Sequence, residues 1–398
     1  MRRALVCLLV ACGSRTDPGG AAAKAPPDTA VPAVCTDALA TGAFTPVARY
    51  CSDGSNRAPT IAPQHPHVVW TRPIDTAGNL GLLVDASGDA FFGGVSSVGF
   101  TGATRWSVAL AGTPSFGFLS PGGVVALFRY SGAPAFTLAP GDGSVLGKTP
   151  WPNDGAYVAV GADGTFFVEL ISGLLDRTWF AGVSRVTADG TTQWTESGDC
   201  DPGGSDFPAP HEFVRRGDHL VLVCNAASGG VEVLEVDADD AKVSDAFYDG
   251  SLFGRVALAP NGDLVFFTAP GQGKPVASLV TVARDGKGSS VGFPTLSQPW
   301  LRAIARDGTL VVTTKDGLGA VSGGAVRWQQ PLVSDGLFVD SDHTIVATTG
   351  TSLVAFDVAS GTKAWELALP KEQAYKLASA GPGKVYVLSS SSLTLVSD

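Results

Sequence analysis

The chain has 398 residues, with 50 Gly, 26 Pro, one Met and Glu at only seven positions, and 16% of it is charged. So few strong helix formers exclude a helical bundle or a long coiled coil, and 44% hydrophobic residues exclude a disordered chain. A formal charge of −10, from 27 basic and 37 acidic residues, gives no electrostatic footprint for nucleic acid or an anionic membrane surface. Gly, Asp and Pro beside runs of Val, Phe, Leu and Thr point to short strands joined by tight turns, an all-β chain.

At the N-terminus, Met1-Arg2-Arg3 precede an apolar stretch from Ala4 to Ala11. A membrane-spanning helix needs about 20 apolar residues, so this stretch reads as an export signal. Leu9-Val10-Ala11-Cys12 resembles the lipobox of bacterial lipoproteins. That resemblance implies cleavage after Ala11 and lipid attachment at Cys12, whose thiol is the nucleophile such chemistry needs. Gly13, and not Asp, follows the Cys, which is compatible with passage to the outer membrane. Residues 1–11 are therefore expected to be a signal peptide. Residues 12–34, rich in Ala, Pro and Gly and without hydrophobic periodicity, are expected to be a lipid-anchored linker. Losing Arg2 and Arg3 with the signal changes the formal charge from −10 to −12.

Beyond Cys7 and Cys12 lie Cys35, Cys51, Cys200 and Cys224. Four thiols in an exported chain suggest two disulfides with three possible connectivities. The sequential pairing, Cys35 with Cys51 and Cys200 with Cys224, clips two local segments. The first closure would contribute roughly 3 kcal/mol on the chain-entropy account. Residues 35–64 are thus read as a disulfide-clipped segment ahead of a folded domain at 65–398. Neither a C-x-x-C nor a haem-attachment signature is present.

From there a turn followed by an apolar run recurs eight times: DASGDAFF from Asp85, SPGGVVAL from Ser120, GADGTFFV from Gly161, RRGDHLVLV from Arg215, APNGDLVFF from Ala259, ARDGTLVVT from Ala305, DSDHTIVAT from Asp340 and GPGKVYVL from Gly381. The equivalent apolar residues run from Phe91 to Val385 at an average spacing of about 42, the length of a four-stranded propeller blade. A later signal, a polar turn and then Trp, recurs at Trp106, Trp194, Trp328 and Trp365. Ser352 to Trp365 reads as strand, Ser-Gly turn and strand, the Trp serving as an apolar plug between sheets.

An aliphatic strand, an Asp, a turn with Gly and a Trp, in that order, resemble the PQQ-like β-propeller repeat of the quinoprotein alcohol dehydrogenase-like superfamily. The resemblance covers about residues 65–398, and blades near 213–295 lack the Trp. The last unit, from Tyr375, supplies three strand-like runs, while His67-Val68-Val69-Trp70-Thr71 stands alone ahead of the first full unit. Pairing the two completes an eighth blade and removes free edges. The expected fold is a β-propeller of four-stranded blades, eight in number, or seven if two weak middle units form one irregular blade.

The resemblance raises the question of a quinone cofactor. In the enzymes it lies between a Trp floor and an adjacent-cysteine disulfide, beside a carboxylate base and a calcium ion held by Glu, Asn and Asp. This chain has no Cys-Cys dipeptide, and its Glu residues are scattered at 169, 196, 212, 232, 235, 366 and 372. His65-Pro66-His67 lacks a third metal ligand, Asp237, Asp239 and Asp240 lack the Gly and Glu of an EF-hand loop, and Gly271 to Lys274 open no helix for a phosphate. No cofactor, metal or catalytic residue is therefore assigned. The expectation is a monomeric, non-catalytic, lipid-anchored scaffold in the cell envelope. It binds another envelope protein through loop aromatics, with Trp151, Trp179 and Trp300 as candidates. The alternative is a ligand or an enzymatic activity in the central channel.

Overall fold

The computed structural model describes residues 57–398 apart from 59, 75–80, 86, 94, 111–115, 121–122, 128–133, 151–154, 161–165, 172–180, 188, 200–210, 217–218, 238–240, 270–275, 294–295, 297–298, 335, 350 and 370–373. The chain divides into two units, and every described element belongs to Val31–Asp398. No helix occurs among the described residues. Cys7, Cys12, Cys35, Cys51, Cys200, Trp151 and Trp179 lie outside them.

After β1 (His67–Pro73), the strands fall into groups of four in chain order. Sheet one holds β2 (Leu82–Val84), β3 (Ala90–Phe92), β4 (Ser96–Val98) and β5 (Thr104–Ser107), and sheet two holds β6 (Phe116–Ser120), β7 (Gly123–Leu127), β8 (Ala135–Leu138) and β9 (Val145–Thr149). Sheet three holds β10 (Gly155–Val160), β11 (Phe166–Ile171), β12 (Ala181–Val186) and β13 (Thr192–Ser197), and sheet four β14 (His211–Arg216), β15 (His219–Asn225), β16 (Val231–Asp237) and β17 (Ala241–Tyr248). Sheet five holds β18 (Ser251–Leu258), β19 (Leu264–Ala269), β20 (Ala277–Val282) and β21 (Gly288–Phe293), and sheet six β22 (Trp300–Ile304), β23 (Leu310–Thr314), β24 (Gly317–Ser322) and β25 (Ala325–Gln330). Sheet seven holds β26 (Leu337–Val339), β27 (Thr344–Thr348), β28 (Ser352–Asp357) and β29 (Lys363–Ala368). Sheet eight holds β30 (Ala374–Gly381), β31 (Lys384–Ser389) and β32 (Ser392–Ser397), with β1 as its fourth strand, antiparallel to β32.

Each of the eight apolar positions read from the repeat is the first or second residue of the second strand of a sheet: Phe91, Val124, Phe166, Leu220, Leu264, Leu310, Ile345 and Val385. The turn before it needs little length because the first two strands are antiparallel neighbours. The Trp, by contrast, does not directly follow the turn at the start of its strand. Trp106 and Trp365 are the third residues of β5 and β29, because pairing extends back across a bulge to Thr104 and Lys363.

The first strands touch one another around a ring: β2 meets β6, β6 meets β10, β14 meets β18, β18 meets β22, β22 meets β26, β26 meets β30 and β30 meets β2, while sheets three and four meet through β13 and β17. The core lies between successive sheets. Val223 and Val233 of sheet four pack with Phe266 and Val280 of sheet five, and Val311 of sheet six with Ile345 and Phe356 of sheet seven. Each such residue contributes roughly 1.5–3 kcal/mol by leaving water.

A short segment ahead of β1 lies along sheets seven and eight. Arg57 bridges to Val339, and Ala62 N–H donates to the Asp340 carboxylate (2.8 Å), which also accepts from Asp342 and Thr344. Burial raises the Asp340 pKa, and those amides oppose the rise. Gln64 and His65 N–H both donate to Asp398 Oδ1 (2.6 and 2.7 Å). One carboxylate thus does non-covalently what a chain turn does between the third and fourth strands of the other sheets.

Candidate interaction surfaces

Antiparallel order gives the ring two ends. The turns joining first to second and third to fourth strands lie at one, which we call the turn end. Second-to-third connections and the linkers between sheets lie at the other, the linker end.

Three of the repeat Trp residues dock on the following sheet at the seams. Trp70 donates its indole N–H to Phe100 O, Trp106 to Pro140 O and Trp328 to Val358 O, each at 2.7 Å. The acceptors lie in the third-to-fourth-strand turns of sheets one, two and seven, and a glycine makes room there. A Cβ on Gly361 would come within 2.5 Å of the Trp328 ring, and one on Gly143 within 2.5 Å of Trp106. Trp194 lies on β13 opposite Arg185, and the facing turn of sheet four, 238–240, is outside the described residues. Trp365 faces the non-covalent closure of sheet eight. Its Nε1 is buried and finds no hydrogen-bond partner among the described residues.

Sequence reasoning missed the substitute in sheet four. Tyr248 donates its hydroxyl to Gly286 O (3.1 Å), and a Cβ on Gly288 would sit 2.0 Å from its ring. The signal was an aromatic donor near the end of a Trp-less unit, followed by a Gly-bearing turn. Between sheets five and six, among the described residues, no aromatic donor docks on the turn of the following sheet, and Val291, 47% exposed, lies beside Gly324.

Trp300, read as an interaction anchor, opens β22 at the linker end and is 41% exposed. Its ring meets Phe253 of β18 edge-on at 5.8 Å and lies over Gly254, where a Cβ would be 3.2 Å away. Val333, in the linker between β25 and β26, is 82% exposed, and Arg302 Nη2 donates to Ser334 O there (2.7 Å). Arg255 follows Gly254 on β18. An exposed Trp, a bare Val and two guanidinium-bearing residues on adjacent first strands match the residue types that dominate protein interfaces.

The buried carboxylates have other work. Glu235 accepts from Arg216 (3.2 Å) and contacts His219 Nδ1 (2.7 Å), while Arg216 also donates to Gly262 O and Val282 O of sheet five. Burial pushes the Glu235 pKa up, but the His219 hydrogen bond and the Arg216 charge outweigh it and hold it low. Asp237, the one described member of the Asp cluster, ends β16 and lies 3.4 Å from His219 Nε2. Glu232 accepts from Asp199 N–H (2.5 Å), and Cys224 Sγ lies 3.7 Å from its Oε2. Among the described residues no three His, Cys, Asp or Glu side chains come together as a metal site. The first strands, which bound the channel, carry Glu212 as their sole acidic residue against His211, Arg215, Arg216, Arg255, Arg302 and Lys376. A calcium-assisted quinone centre needs carboxylate donors, and among the described first-strand residues Glu212 alone supplies one. Burial lowers the pKa of Lys376 on β30.

Fold and seams define the class: a β-propeller of four-stranded antiparallel sheets. A family model described as outer membrane protein assembly factor BamB matches residues 278–396. BamB from Moraxella catarrhalis is similar in structure with a TM-score of 0.55 at 14% identity, over 84% of this chain and 98% of that one. The quinohemoprotein alcohol dehydrogenase of Comamonas testosteroni is similar with a TM-score of 0.61 at 11% identity, over 86% of this chain and 78% of that one. No curated protein matches the chain. Together these likenesses support a PQQ-like β-propeller, as the repeat implied. One neighbour is named an alcohol dehydrogenase and the other is not, so the shared fold assigns no reaction.

Proposed function

We propose that the chain is a non-catalytic envelope scaffold, anchored by a lipid on Cys12 in the outer membrane, that holds a protein partner at the linker end of the propeller around Trp300. The observation that carries this reading is Trp300 itself: a large aromatic, 41% exposed, beside Phe253, Val333 and Arg302. The description of the matched family as an outer membrane protein assembly factor supports an envelope partner. A Cys200–Cys224 disulfide belongs to the same proposal. Asp199, next to Cys200, is held beside β15 and β16 by Glu232 and by Ala227 N–H, which donates to its carbonyl (2.6 Å).

A photo-crosslinking side chain at position 300, in the full chain in the envelope of the producing cell, is expected to give a discrete protein adduct. The same side chain at Asp142, exposed in a turn at the opposite end, is expected to give none. No adduct from position 300, or equal adducts from both, would count against the reading.

A further inference from the structure

The eight fourth strands form the outer edge of the ring, and seven of them are guarded. Their pairings with the third strands are broken by a bulge in every sheet but the fifth; β20 and β21 run in uninterrupted register from Ala277↔Phe293 to Val282↔Gly288. Each of the seven also carries charge: Arg72, Arg105, Lys148, Glu196, Lys242, Arg327 and Lys363 are examples, one from each strand. β21, Gly-Ser-Ser-Val-Gly-Phe, carries none. β1, β13, β25 and β29 show the alternating half-burial of a strand whose one face is covered by the next sheet, whereas β21 is exposed at every residue from Gly288 to Gly292. Bulges, charges and covering are the devices by which proteins stop another strand from pairing with an edge. β21 lacks all three, in an otherwise guarded molecule.

We infer that the edge of β21 is a strand-addition site that takes an extended, uncharged segment of a partner protein with apolar residues at alternate positions. The backbone N–H and C=O groups of the edge supply the hydrogen bonds, and alternate side chains supply selectivity. An uncharged incoming segment follows from the uncharged edge, and alternate apolar residues follow from Val291, left bare beside Gly324 at a position where Trp70, Trp106, Tyr248 and Trp328 plug their own seams. The inference deepens the scaffold reading by naming how a partner segment is held, and it rests on that reading.

The test uses the full chain and a labelled synthetic peptide of alternating valine and threonine, kept soluble by a terminal polyethylene glycol, with binding followed by fluorescence anisotropy. Binding is expected, with slowed amide hydrogen exchange across residues 288–293. Val291→Lys, at an exposed position where folding is undisturbed, should weaken it by about tenfold or more, since a charge on the edge opposes pairing. Methylating alternate peptide nitrogens should abolish it. Equal binding of methylated and unmethylated peptide, or of Val291→Lys and the parent chain, would overturn the inference. So would peptide refused by a parent chain that self-associates while Val291→Lys does not, which assigns the edge to a second copy. The adduct from position 300 is read separately, so the scaffold reading can stand or fall without the β21 edge.

Discussion

Truncation after Leu369 abolishes the cooperative unfolding transition of the propeller. The cut removes β30, β31 and β32, and with them the register partners of β1 from His67↔Ser397 to Pro73↔Ser392. It also removes Leu377, Val385, Tyr386, Leu393 and Val396 from a core cluster that includes Leu82 and Phe92 of sheet one and Phe338 of sheet seven. At roughly 1.5–3 kcal/mol for each large apolar side chain, the loss reaches the whole stability of an ordinary domain, about 5–15 kcal/mol. The segment around Ala62 loses Asp398 and the Gly383 N–H that donates to Ile61 O (2.9 Å). Denaturant titration followed by circular dichroism should show a broad, shallow change. A soluble truncate with a sharp transition would contradict the closed ring.

Replacing Trp328 by Ala has the largest effect expected of a single substitution at a seam, about 3 kcal/mol or more. The indole fills the space above Gly361, whose backbone angle (φ +70°) and missing Cβ both serve the ring that lies on it. Alanine opens a cavity there that the turn of sheet seven cannot collapse into, because Gly361 N–H is tied to Asp357 O (2.9 Å) and Ser360 N–H to the Asp357 carboxylate (2.7 Å). It also leaves Val358 O without its donor. Phenylalanine keeps most of the filling but not the hydrogen bond, and should cost about 1 kcal/mol for that loss on top of the difference in size. Urea unfolding midpoints of the three proteins should fall in the order Trp, Phe, Ala; equal midpoints for Trp and Ala would show that the seam is held elsewhere.

The turn-plus-strand repeat was legible because the first two strands of every sheet are sequence neighbours, so Asp, Gly and the apolar run stay together in the chain. The pairing of His67–Thr71 with the last unit was legible because an isolated Trp-bearing run and an incomplete unit complement each other. What the Trp does was half legible. Ser-Gly-Thr-Lys-Ala-Trp showed a Gly turn and a Trp plug between sheets, but not that Gly361 receives Trp328 of the preceding sheet. The partner lies about a blade away in sequence, where no local pattern marks it. Tyr248 was missed for the same reason, its acceptor Gly286 being 38 residues on. The open edge of β21 appeared in the sequence only as a unit without its Trp. Its meaning depends on the seven bulged and charged edges around the ring, a comparison that needs the register.

A channel lined by converging carboxylates and aromatics would favour a bound ligand, and small apolar filling would favour a scaffold. The first strands instead carry cationic side chains, with Arg302 tied to the linker ahead of sheet seven.

Native mass spectrometry of the full-length protein, extracted intact from its membrane, tests the scaffold most directly. The account predicts a complex with a second polypeptide and a propeller that carries no small molecule beyond its lipid. A stoichiometric small-molecule adduct on a propeller without any protein partner would contradict it.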